Sequence, residues 1–157
     1  SFSKNTILAT TPIAAPGFAS SKMVYVMIPY RLQSYANHRW VAPPAELLLP
    51  LLADQLRATK YFKAVVTSPF SGGVMYQLNT QLLILQQEFL QPKSQVRLTM
   101  QATLIRVADG QVIASRVFET LIPAAQNNPY GGVLAINQAA HQVMQRIAKF
   151  VVQKTRG

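Results

Sequence analysis

The sequence predicts an α+β domain: an antiparallel sheet of about six strands with two helices packed on one face, in the order ββαββββα. Three observations predict it. Residues 76–84 and 96–104 alternate apolar and polar side chains with a period of two. Ala108-Asp109-Gly110 sits between two such runs and reads as a tight hairpin. Residues 43–59 and 133–151 instead carry apolar side chains at helical spacing.

Taken in order, residues 6–14 hold Ile7, Leu8 and Ile13 among Thr and Ala, which predicts a first strand ended by the Pro16-Gly17 turn. Met23 to Ile28 is a nearly continuous β-favouring run and predicts a central strand, with Pro29 limiting it. Tyr30 to Val41 reads as a loop. Pro43-Pro44-Ala45-Glu46 suits a helix start, because proline is tolerated in the first turn and a carboxylate favours the positive end. Leu47, Leu48, Leu51, Leu52 and Leu56 form its stripe, and Pro50 inside it should kink the helix or delay its regular part. Phe62 to Thr67 predicts a short strand.

The chain then changes period. Tyr76, Leu78, Thr80, Leu82 and Ile84 form one buried face, and Val96, Leu98, Met100, Ala102 and Leu104 another. With Gln111 to Ile122 they predict a three-stranded antiparallel meander. Pro123 to Gly132 reads as a polar loop. The last helix places Val133, Ile136, Ala140, Val143, Ile147 and either Phe150 or Val151 on one face.

The chain has 157 residues, half of them apolar, enough for one domain with its own core. No run approaches the roughly 18 apolar residues of a membrane span. The chain opens Ser1-Phe2-Ser3-Lys4, so it is expected to be a processed or trimmed piece with any targeting segment upstream. It has no cysteine, which removes disulfides, thiolate metal sites and Cys nucleophiles. The net charge of +10 points to nucleic acid or an anionic membrane as partners, but no two basic residues are adjacent. A solvated basic surface accounts for it more simply, and nucleic-acid binding is kept as the rival reading.

The raw material for catalysis is thin. The five carboxylates are Glu46, Asp54, Glu88, Asp109 and Glu119. Glu46 and Asp54 stand eight residues apart on one helix, roughly 12 Å, too far for an acid/base pair. His38 and His141 have no companion at metal-ligand spacing. No nucleophile elbow, dinucleotide fingerprint or phosphate-binding loop occurs. No enzyme activity, cofactor or metal is expected.

The stretch Tyr30 to Pro44 is the densest in side chains that anchor interfaces, with the only Trp, two Tyr and two Arg. Tyr30, Tyr35 and Arg39 are therefore the candidate partner-binding residues, and Trp40 is expected to support them by packing over the helix start. Here the chain resembles the ABC-type transport auxiliary lipoprotein family, which includes the paraquat-inducible protein C type. The resemblance rests on Tyr35, Arg39-Trp40, Pro43-Pro44, Glu46-Leu47-Leu48, Leu56 and Phe62. It continues through Tyr76 and Leu78, Asp109-Gly110, Phe118 and the helix after Gly132, covering about residues 22–153.

That resemblance implies a non-enzymatic role in the envelope of Gram-negative bacteria. It implies a mammalian-cell-entry-type periplasmic protein and its ABC transporter as partners, together moving lipids between the two membranes. The domain would face the periplasm, docked to the substrate-binding component and held to the outer membrane by an N-terminal lipid anchor. The family's lipid-bearing Cys is absent from this chain, so that anchor is expected upstream of Ser1. Direct phospholipid contact and homo-oligomerisation are left open.

Overall fold

The computed structural model describes residues 5–156, and every statement of absence below refers to these. The order is β1 (Thr6–Ala9), β2 (Ile13–Ala14), β3 (Lys22–Val26), β4 (Gln33–Arg39), α1 (Pro44–Ala58), β5 (Ala64–Thr67), β6 (Tyr76–Glu88), β7 (Gln95–Arg106), β8 (Gln111–Pro123) and α2 (Pro129–Arg156). The α+β class and the two helices agree with expectation. The strand count does not: the sheet has eight strands, with order β4-β3-β6-β1-β5, and β7 and β8 continue it beyond β6.

The sheet is also mixed rather than antiparallel. The predicted meander is present, with β6, β7 and β8 paired antiparallel along almost their whole lengths. On its other edge β6 meets three short strands in succession, β1 beside Ile7↔Tyr76, β2 beside Ile13↔Gln81 and β3 beside Tyr25↔Gln87, all parallel. β5 pairs parallel with β1, a connection that a helical crossover permits, and α1 lies between them in sequence. A side-chain period reports which face is buried, not which way the neighbouring strand runs. The expected first strand divides into β1 and β2. The expected loop at 30–41 contains β4, an exposed strand that pairs antiparallel with β3.

Both helices lie on one face. α2 packs on β7 and β8, and α1 on α2, β5 and β1. α1 is continuous through Pro50, whose ring faces solvent, so Pro50 does not delay its regular part. α2 starts four residues before the expected Val133, with Pro129 in its first turn. The core joins Leu52 and Leu56 of α1, Val143, Met144 and Ile147 of α2, and the inward residues of the long strands. The register shifts between Leu82 and Ile84, so Leu85 and Gln87 take the inward positions that strict alternation assigns to Ile84 and its successors.

This topology gives the molecule two poles. β6, 13 residues long, spans roughly 40 Å at about 3.3 Å per residue. Thr6 lies near its first residue and the β3–β4 turn near its last. The C-terminal half of α2 shares a cleft with the end of α1, and Lys63, just after α1, bonds back to Asn5. Both ends of the described chain therefore lie at the proximal pole. The β3–β4 turn, the β6–β7 loop and the start of α2 share the distal pole. No helix is long and apolar enough to cross a membrane.

Candidate functional site

The distal pole is built by the β3–β4 hairpin. β3 ends where Val26 pairs with Glu88, and the Phe89 N–H donates to the Val26 carbonyl at 2.8 Å. The chain then leaves the sheet. Met27, Ile28, Tyr30 and Leu32 are all exposed, Tyr30 completely so at 104%. The Arg31 N–H closes the turn on the Ile28 carbonyl at 3.1 Å. Tyr30 has φ of 66°, a left-handed conformation that costs a side-chain-bearing residue free energy. The neighbouring β6–β7 loop adds exposed Leu90 and Lys93. The turn and this loop together present apolar side chains, two cations and no carboxylate.

Tyr35 does something different. Its hydroxyl donates to Gln87 Oε1 at 2.8 Å, and Gln87 is 1% exposed. The Gln87 amide in turn donates to Ser94 Oγ and to the Asn128 carbonyl, both at 3.1 Å. Asn128 caps α2, accepting the Gly131 N–H on its side-chain oxygen at 2.9 Å. The Tyr35 ring stacks at 4.6 Å on Tyr25, which meets Phe89 edge-on. Burial, and then the neighbouring Tyr25, push the Tyr35 hydroxyl up to about 12, so it remains a donor at any physiological pH. Tyr35 thus ties the hairpin to the start of the long helix.

Arg39 lies at the far end of β4, exposed and paired with Lys22. Trp40 follows it, its N–H donating to the Ser21 carbonyl at 2.8 Å. Its half-buried ring lines a shallow groove of about 60 Å³ with Pro44, Leu47, Leu48, Leu51 and Ile136, over the start of α1 as expected. The three sequence-derived candidates therefore do not converge. Tyr30 is at the tip, Tyr35 points inward, and Arg39 is at the base. The tip residues Met27, Ile28 and Arg31 and the loop residues Leu90 and Lys93 were missed. One signal was available: apolar side chains, Tyr30 and Leu32, recur beyond Pro29, the point where a strand must end.

Several other ionisable groups are engaged structurally. On the sheet face away from the helices, Arg97 bridges Glu88 and Glu119, each at 2.7 Å. Burial works to raise the Glu88 carboxyl, but hydrogen bonds from Arg97, Gln86 and Gln95 and the Arg97 charge outweigh it and hold it low. Asp54 pairs with Arg57 and Asp109 with Arg106. His141 meets Gln55 at 3.4 Å. No group of three or more His, Cys, Asp or Glu among the described residues is arranged to hold a metal ion.

Comparison with known proteins adds the following. The model of the family described as ABC-type transport auxiliary lipoprotein component matches residues 2–148. No curated protein matches the chain. Among solved structures, a DUF330-family protein from Xanthomonas campestris superposes with a TM-score of 0.88 at 21% identity, covering 96% of this chain and 85% of that one. A PelC dodecamer from Paraburkholderia phytofirmans gives 0.56 at 12% identity, over 90% and 84% of the two chains. A hypothetical protein from Chlamydia trachomatis also gives 0.56, at 9% identity over 98% and 96%. At these identities the likeness establishes the fold alone.

Proposed function

Because the chain belongs to the ABC-type transport auxiliary lipoprotein component family, we propose that it is a non-enzymatic docking module for the substrate-carrying component of such a transporter. A lipoprotein component of a transporter works in the cell envelope. The finer reading is periplasmic: the domain is tethered to the outer membrane, engages a mammalian-cell-entry-type protein and its ABC transporter, and assists movement of phospholipid.

The single observation that carries this reading is the distal tip. Exposed Met27, Ile28 and Tyr30 sit in a turn held by backbone hydrogen bonds and braced from behind by Tyr35. A rigid aromatic anchor loses little entropy on binding, which is what interface hot spots require. An anchor on the N-terminal side of β1 would leave from the proximal pole and direct the tip away from its own membrane. Nucleic-acid binding is disfavoured by the use of the cations. Arg57, Arg97 and Arg106 are in ion pairs, and Arg116 and Arg146 lie over the Phe150 and Phe118 rings.

Site-specific cross-linking in cells tests the proposal. A photo-reactive amino acid in place of Tyr30 is expected to trap the mammalian-cell-entry-type protein. The same group in place of Val107, in the β7–β8 turn at the proximal pole, is expected not to. Adducts from Val107 and none from Tyr30 would move the interface to the other end.

A further inference from the structure

The outer strands of the sheet, β4, β5 and β8, do not present the same kind of edge. Arg146 donates to the Glu119 carbonyl of β8 at 2.9 Å, and Arg57 donates to the Val65 carbonyl of β5 at 3.1 Å. Charged side chains placed on an edge discourage another chain from adding to it. β4 has no such cover. It pairs with β3 alone, and among the described residues no side chain hydrogen-bonds to its backbone. Gln33–Arg39 contains neither proline nor lysine, and every residue except Tyr35 is exposed. The register shift adds to this. Between the Val24↔Ser34 and Lys22↔Arg39 pairs, Tyr35, Ala36, Asn37 and His38 have no partner in β3.

The strand is nevertheless held in place. The Tyr35 hydroxyl bonds to Gln87, the Trp40 N–H to the Ser21 carbonyl, and the Arg31 N–H closes the turn on Ile28. A preformed edge loses little entropy when a second strand adds to it. Its charge is one-sided. Exposed Arg31 precedes the strand and exposed Arg39 ends it, with Lys22 opposite Arg39 in the ladder. Residues 1–45 contain no carboxylate at all. Glu88, which reaches β3 beside Val26, is held by Arg97. Midway along β4 the His38 ring meets the Tyr35 ring edge-on at 6.0 Å, which offers some apolar surface to an incoming side chain.

We propose that the free edge of β4 takes up an extended acidic segment of a partner protein by strand addition. Main-chain hydrogen bonds would run along residues 34–38, with carboxylates near the two ends of the segment facing Arg31 and Arg39. In such complexes main-chain pairing supplies affinity and side chains select the partner. A carboxylate at either end relieves the local positive charge, whereas a second copy of this chain, at a net charge of +10, brings further cations to the edge. The edge is a different surface from the apolar tip, so the inference stands whether or not the tip docks a protein.

The test is an amide NMR titration of the whole domain at about 50 mM salt, where surface charges are only partly screened. The probe is a short capped peptide of alternating Val and Thr with Glu at both ends. One counterpart carries Lys in place of Glu, and another carries N-methyl groups along its backbone. Shifts and slowed amide exchange are expected at residues 31–39, with the Glu peptide bound at least about tenfold more tightly than either counterpart. Arg31→Gln with Arg39→Gln should weaken binding about tenfold, whereas Lys149→Gln with Lys154→Gln should leave it unchanged. The Arg31/Arg39 variant should melt with the wild type, which separates a lost site from a lost fold. Equal affinity for the N-methylated peptide would reduce the edge to a charged surface and overturn strand addition. Equal affinity for the Lys peptide would overturn the acidic assignment. Concentration-dependent shifts at residues 33–39 without peptide would give the edge to a second copy instead. No saturable shifts in β4 below about 1 mM peptide would overturn the proposal. The titration contains no transporter component, so its failure leaves the tip assignment standing.

Discussion

Thr80 faces the helices from the middle of β6, 2% exposed, and its hydroxyl has no hydrogen-bond partner among the described residues. A buried unpaired hydroxyl loses its hydration without compensation. Thr80→Val keeps the shape and removes the polar atom, so it should stabilise the fold by about 1 kcal/mol in urea denaturation. Glu88 behaves oppositely. Its folded pKa lies below the unfolded value, so its contribution is present above the unfolded pKa and lost as pH falls through the folded one. The melting temperature should therefore drop on acidification below about pH 5, and Glu88→Gln should lower it at neutral pH while flattening that acid limb. A Glu88→Gln protein with an unchanged acid limb would show that the Arg97 network does not matter. Neither residue's role was legible in the sequence. Thr80 fits the alternating pattern as a polar exception. Glu88 and Gln87 become buried only through the register shift near residue 83 and the arrival of β3 beside them.

At the scale of elements, the hairpin and the long helix act as one unit through Gln87. Gly131 and Gly132 look like breakers in the sequence, yet both lie inside α2. A Cβ on Gly131 would collide with the Gln126 backbone, and one on Gly132 with the Gln87 side chain. Gly132→Ala should therefore destabilise the domain despite better helix propensity, and should speed amide hydrogen exchange in β3 and β4 as the Tyr35–Gln87 bond is displaced. Asn128→Ala, which removes the cap, should cost about 1 kcal/mol. Unaltered β4 exchange in Gly132→Ala would separate the two elements. β8 leaves one edge of the sheet open over 13 residues, and it is guarded: Arg146 donates to the Glu119 carbonyl at 2.9 Å, Arg116 lies over Phe150, and Pro123 ends it. The long strands and both helices could be read from periodicity because each presents one continuous apolar face. β4 could not, because its Gln, Ser, Asn, His and Arg carry no period and its pairing with β3 alone makes it a strand.

For the whole molecule, the parallel arrangement of β1, β2 and β3 along β6 is the decisive feature, since it separates the start of the described chain from the hairpin tip by roughly the length of β6. That separation suits a tethered domain that presents something outward. It also divides the residues picked from the sequence. Tyr35→Ala should lower the melting temperature through loss of its bond to Gln87, so it is a poor probe of binding. Tyr30 is a clean one, because its side chain touches nothing that holds the fold. The most direct measurement is the dissociation constant between the purified domain and the mammalian-cell-entry-type protein proposed as its partner, for wild type and for Tyr30→Ala combined with Ile28→Ala. With the tip as the docking site, the double variant should melt within a degree or so of wild type and bind about 30-fold more weakly, roughly 2 kcal/mol. Wild-type affinity in a fully folded double variant would contradict the assignment.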